Sequence, residues 1–132
     1  MKQVLDSRFL VEYYYSEDNE MRQKASQKMR ELTQTGMGLI PTIVVCETIQ
    51  VICSREGKGK AEMVYLSIMT SGMTMEGLSP SIAKEAGILK SIYKNIPMGD
   101  CIIAATAIRN QARIVSDDPH FDSIKETKRI WI

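Results

Sequence analysis

Cysteine is scarce: three in 132 residues, at positions 46, 53 and 101. The count is odd and no Cys-x-x-Cys pair occurs, which argues against a disulfide framework or a cysteine-built metal site. All three lie in apolar runs, so they are expected to be buried small hydrophobes in a reducing compartment, the cytoplasm. Histidine occurs once, at His120. One histidine with scattered cysteines cannot make a zinc cluster, and no Ser–His–Asp arrangement can be read. A charge excess is also missing, since the net charge is +1. Bulk electrostatics therefore announce neither nucleic acid nor a membrane surface, and a nucleic-acid ligand would have to meet a local basic patch. No apolar run approaches the roughly 18 residues that a membrane span needs. The opening Met1-Lys2-Gln3-Val4-Leu5-Asp6 lacks the long apolar region of a signal peptide. Repeats, low-complexity tracts and long linkers are absent too.

What remains is an ordinary globular composition in a chain long enough to bury a core, expected to form one domain over residues 1–132. Short apolar runs alternate with segments of helical period. Residues 3–5 predict a buried strand ending at Asp6-Ser7, and Phe9 to Tyr15 a short helix. Ser16, Asp18 and Asn19 are cap candidates for a helix striped by Met21, Ala25, Met29 and Leu32 and stopped by Gly36. Gly38 to Ile40 predicts a strand cut by Pro41. Thr42 to about Arg55 predicts a helix broken by Gly57 and Gly59. Ala61, Val64, Tyr65 and Ile68 mark another helix, ending near Gly72, and residues 73–78 a strand. Ser79-Pro80 opens a helix with stripe Ile82, Ala86, Leu89 and Tyr93. Asp100 begins a nearly all-apolar helix to Ile108, expected to be buried on every side. Ile114-Val115 predicts a strand, Asp118-Pro119 a helix opening and Arg129 to Ile132 a last strand. This alternation predicts an α/β fold, a mostly parallel sheet with helices on both faces. Ligands of such sheets bind at the carboxyl ends of strands, where strand order reverses.

Four acids occupy the matching places. Asp6 and Asp118 follow strands, and Asp100 opens the most apolar helix. Each could simply cap a helix. Glu47 has Ile43, Val44, Gln50 and Val51 as helical neighbours, so it lies on a mainly apolar face. It either reaches past them to solvent or needs a cation or strong partner. Four converging carboxylates would repel one another without a cation. The hard, oxygen-loving ion that fits them is Mg²⁺ or Mn²⁺, and the chemistry it serves is phosphodiester hydrolysis.

These segments, in order, resemble the PIN-domain family and, within it, the VapC-type toxin ribonucleases of VapBC toxin–antitoxin systems. Val4-Leu5-Asp6-Ser7 resembles the opening strand and first acid. Pro41 to Glu47 resembles the helix carrying the second. Asp100-Cys101-Ile102-Ile103-Ala104-Ala105-Thr106-Ala107 is similar to Asp-x-x-Ile-Ala-Ala-x-Ala, and Val115 to Phe121 to the terminal motif of Ser or Thr, one residue, Asp and a later Phe. The last two segments are the most specific. The resemblance implies a Rossmann-like three-layer α/β/α sandwich and Mg²⁺- or Mn²⁺-dependent endoribonuclease activity on RNA. It also implies a homodimer and a neutralising antitoxin partner. Asp6, Glu47, Asp100 and Asp118 would hold the metal, with Ser116 helping to order the metal water and the acids. Two departures stand out: Arg8 replaces a small or polar residue, and Asp117 replaces a neutral one and could be a fifth carboxylate.

Other readings stay open. The same acids acting only as caps would leave a non-catalytic interaction module, and a nuclease of RNA maturation would carry the same site. His120 is expected at the surface or at a helix start. Gly57-Lys58-Gly59-Lys60 lacks the spacing of a phosphate loop and is expected to be a solvated turn, with a grip on RNA backbone as the alternative. Arg109 and Arg113 are further phosphate candidates. Phe9, Leu10, Tyr13 and Tyr14 crowd one short helix, and its exposed side is expected to receive an antitoxin segment.

Overall fold

Asp6 ends the first strand and starts the first helix. In the computed structural model, which describes residues 1–132, β1 (Gln3–Leu5) buries Val4 and Leu5 completely. The Asp6 carboxylate then accepts from the Ser7 N–H and caps α1 (Ser7–Tyr15). The cap starts this helix two residues earlier than its apolar pattern suggests. Asp18 caps α2 (Asn19–Thr35), which buries Ala25, Met29 and Leu32 and ends at Gly36 in the left-handed conformation, φ 70°. Strand β2 (Gly38–Pro41) follows and includes Pro41 as its last residue. The proline thus ends the strand without being excluded from it.

Helix α3 (Thr42–Glu56) buries Val44, Thr48 and Ile52, one residue in four along one face. Cys46 and Cys53 are therefore exposed, against expectation; only Cys101 is buried. Gly57, at φ 91°, breaks the chain, but Gly59 does not. It lies in the first turn of α4 (Lys58–Met69), so the expected loop at 57–60 is largely helix. Strand β3 (Thr74–Glu76) leads to α5 (Pro80–Ile92), capped by Ser79 with Pro80 behind it. Helix α6 (Met98–Arg109) buries Cys101 and every residue from Ile103 to Ala107. Strand β4 (Arg113–Val115), a short 3₁₀ helix (Pro119–Ser123) and β5 (Arg129–Ile130) complete the chain.

The five strands pair in the order β3-β2-β1-β4-β5, and every pair is parallel. The expected mostly parallel sheet is thus wholly parallel. Right-handed crossovers put α1 to α4 on one face and α5 and α6 on the other, an α/β/α sandwich around a core that includes Val4, Leu5, Ile40, Ile103 and Ile114. The chain moves outward from β1 through β2 to β3, then returns to β4 on β1's other side. Strand order therefore reverses between β1 and β4, which opens a crevice at their carboxyl ends.

Candidate metal centre

The carboxyl end of β1 delivers Asp6, and that of β4 delivers Ser116, Asp117 and Asp118. Val115 pairs with Leu5, so the two chain ends emerge side by side. Asp6 is buried and both of its oxygens are hydrogen-bonded: Oδ1 accepts from the Ser7 N–H at 2.8 Å and Oδ2 from the Ser116 hydroxyl at 2.6 Å. The Ser116 oxygen in turn accepts from the Asp118 N–H at 3.0 Å. One buried hydroxyl thus ties both strand ends together. Burial pushes the Asp6 carboxyl above its usual range; Ser116 and the Ser7 N–H pull it down, and Asp100 and Asp118 push it up again.

Asp118 caps the 3₁₀ helix, its Oδ1 accepting from the His120 N–H at 2.9 Å. Asp100 sits in the first turn of α6, where the helix dipole favours an acid, and it makes no cap hydrogen bond. The His120 ring joins these two acids, with Nδ1 lying 2.9 Å from Asp100 Oδ2 and 3.4 Å from Asp118 Oδ1. Burial raises the Asp100 pKa first of all; His120 opposes this and Asp118 adds to it.

Glu47 enters from α3, and Gly99 of α6 lets it do so. A Cβ on Gly99 would stand 2.9 Å from Glu47 Oε2. Burial, then Asp6, then Asp100 push the Glu47 carboxyl up to about 7, and Ser7 offsets part of this. Its Oε1 is buried with no hydrogen-bond partner. An orphaned carboxylate oxygen beside two further acids is what a cation would satisfy. Asp100, Asp118 and His120 also offer three donor atoms within 4.8 Å of one another. The residues present therefore fit a hard divalent ion.

The structure brings together Asp6, Glu47, Asp100, Asp118 and Ser116, as the sequence predicts. It adds His120, which sequence reasoning places at a surface or helix start. The only signal for it was its position two residues after Asp118; its partner Asp100 is 20 residues away. Asp117 is instead paired with Arg8 at the rim. That pair lines a shallow groove with Ser7, Val11 and Arg55. Arg109 ends α6, whose first turn holds Asp100, and Arg113 pairs with Gln3 at the start of β1. Both lie toward the opposite end of the sheet, away from the acids. Lys60 stands over the Tyr15 ring, 5.9 Å from its centroid.

An all-parallel α/β sheet with acids gathered at its switch point defines an acidic centre in an α/β/α protein. The chain belongs to the PIN-domain family of nucleases, whose model matches residues 4–127. No curated protein matches it by sequence. Among solved structures it is similar to VapBC2 from Rickettsia felis, bound to a DNA fragment from their promoter. That match has a TM-score of 0.80 and 19% identity, covering 99% of this chain and 98% of the other. DNA-bound VapBC from Salmonella typhimurium gives 0.80 and 15%, with the same coverage of 99% and 98%. VapC20 from Mycobacterium tuberculosis, a sarcin-ricin loop cleaving toxin, gives 0.73 and 13%, covering 94% and 95%. At these identities the likeness is one of fold.

Proposed function

We propose that this chain is a Mg²⁺- or Mn²⁺-dependent endoribonuclease of the VapC type, the toxin of a toxin–antitoxin pair. The observation that carries the reading is Glu47, a carboxylate with a buried, unpartnered oxygen facing Asp6 and Asp100. Helix capping accounts for Asp6 and Asp118, and that favours a non-catalytic interaction module as a second reading. Capping accounts for neither Glu47 nor Asp100.

Asp6, Glu47, Asp100 and Asp118 would hold the ion. When bound, a divalent ion supplies Lewis-acid activation of water and neutralises charge developing on the phosphate. The protein's own part is to hold the acids in place. Ser116 fixes Asp6 and the start of the Asp118 loop with one hydroxyl. Gly99 keeps the space that Glu47 occupies. Arg8 and Arg55, in the groove beside the acids, are suited to the phosphates of a bound RNA strand. Asp117 neutralises Arg8 in the free protein.

Two partners complete the proposal. An antitoxin segment would lie along the groove lined by Tyr13, Tyr14, Met29, Thr33 and Ser67, close to the exposed Met63 and Leu66 of α4. A second copy would cover exposed Ile88 and Ile92 on α5, giving the homodimer that the family resemblance implies. No helix is long and apolar enough to cross a membrane; a cytoplasmic site of action is part of the proposal.

The test is cleavage of a structured RNA by purified protein. Cleavage should need Mg²⁺ or Mn²⁺ and stop with EDTA. Cleavage unaffected by EDTA would sink the metal-dependent reading. Growth arrest on regulated expression would separate a toxin from an RNA-maturation nuclease.

A further inference from the structure

The acids of this centre stand in an oxygen-only ligand set, yet the side chain that approaches two of them most closely carries nitrogen. We propose that His120 is a direct ligand of the ion, and that its nitrogen makes this site prefer Mn²⁺ to Mg²⁺. The inference rests on the metal-dependent reading above and goes beyond it by naming a further ligand and the ion selected.

Geometry comes first. His120 Nδ1 lies 2.9 Å from Asp100 Oδ2 and 3.4 Å from Asp118 Oδ1, and the three donor atoms fit within 4.8 Å. Around a six-coordinate ion with bonds of about 2.1 Å, adjacent donors stand about 3 Å apart. The spacing that makes a hydrogen bond in the metal-free protein is also the spacing of neighbouring ligands on one ion. Placement agrees. The His120 side chain is 46% exposed, against 12% for Asp100 and 19% for Asp118. The ring therefore closes the group from the solvent side, where an ion and its substrate arrive.

The backbone that carries the ring is also held. Asp118 accepts from the His120 N–H, Pro119 restricts the backbone before it, and the next residue, Phe121, is completely buried. Imidazole nitrogen suits transition metals, whereas Mg²⁺ takes oxygen donors almost exclusively. Replacing one oxygen donor by nitrogen shifts the balance toward Mn²⁺.

The chain has one histidine, so a nitrogen signal has one imidazole source once any affinity tag is removed. Pulsed EPR of the Mn²⁺-loaded protein should show imidazole nitrogen modulation, lost in His120→Ala. Calorimetry should show Mn²⁺ binding about tenfold or more tightly than Mg²⁺, with His120→Ala lowering Mn²⁺ affinity at least about tenfold and Mg²⁺ affinity far less. Bound Mn²⁺ without nitrogen modulation overturns the ligand assignment and leaves the metal-dependent reading standing. Equal losses for both ions overturn the selectivity. No Mn²⁺ binding by the unaltered protein overturns the metal reading itself, and the ligand assignment with it.

Discussion

Ser116 and Asp6 lie 110 positions apart in sequence and are joined by a buried 2.6 Å hydrogen bond. The serine hydroxyl donates to the acid while accepting from the Asp118 N–H, so it orders two of the four acids at once. Removing it leaves Asp6 with one donor fewer in a buried setting. Ser116→Ala should cost about 2 kcal/mol of stability, the range of a buried bond to a charged group. It should also push the Asp6 carboxyl further up and weaken Mn²⁺ binding. Denaturant unfolding and calorimetry check both. Unchanged ion affinity would mean that Ser116 serves the fold alone.

Gly99 offers a cleaner separation of fold from site. An added methyl would meet only the Glu47 carboxylate, the mobile end of a flexible side chain, with Oε2 at 2.9 Å. Alanine is also no worse a helix former than glycine in this first turn of α6. Gly99→Ala should therefore hold or raise thermal stability while displacing Glu47 and weakening Mn²⁺ binding. A variant that binds the ion normally would remove Glu47 from the proposed ligand set.

The raised Glu47 pKa sets the sign of a pH dependence. The folded protein keeps its proton up to about 7, whereas the unfolded chain releases it near the ordinary 4.5. Across that window the folded state binds more protons, so metal-free stability falls as pH rises. Asp6 and Asp100, also raised, act in the same direction. The melting temperature of the metal-free protein should drop between about pH 5 and about pH 8. Glu47→Gln should flatten that slope, and saturating Mn²⁺ should recover stability at the upper end. A slope unchanged in Glu47→Gln would mean that this carboxyl ionises as it does in water.

Tyr13 and Tyr14 stack edge-to-face at 4.8 Å, and the Tyr14 hydroxyl donates to Ser67 Oγ at 2.8 Å. They form one wall of the groove assigned to the antitoxin. Replacing both with Asp should abolish co-purification with the antitoxin, while circular dichroism stays that of the parent. Retained binding would place the antitoxin elsewhere.

Strands and helices were legible wherever local chemistry and burial agree. The stripe Ala25-Met29-Leu32 and the Ser79-Pro80 opening are examples. Three of the four acids could be located because each begins a helix or follows a strand. Glu47 was legible for a different reason, its apolar helical neighbours. Misreadings came where tertiary placement decides. Gly59 looked like a breaker, but in a first helical turn a glycine costs little. Cys46 and Cys53 lie in apolar sequence yet fall seven residues apart on the outer face of α3. Arg109 and Arg113 are near the site motifs in sequence and toward the far end of the sheet in space. His120 lies at the surface and at a helix start, as its sequence position predicts, but no local pattern announces its contact across 20 residues to Asp100.

Asp100 is the acid best placed to separate chemistry from capping, since it makes no cap hydrogen bond and faces both His120 and Asp118. The decisive measurement is the rate of RNA cleavage by Asp100→Asn in Mn²⁺, with folding followed by circular dichroism. Loss of about 100-fold or more in a folded protein is expected if Asp100 holds the ion. A folded Asp100→Asn variant that cleaves RNA at the parent rate would contradict the assignment of these acids as the metal-dependent active site.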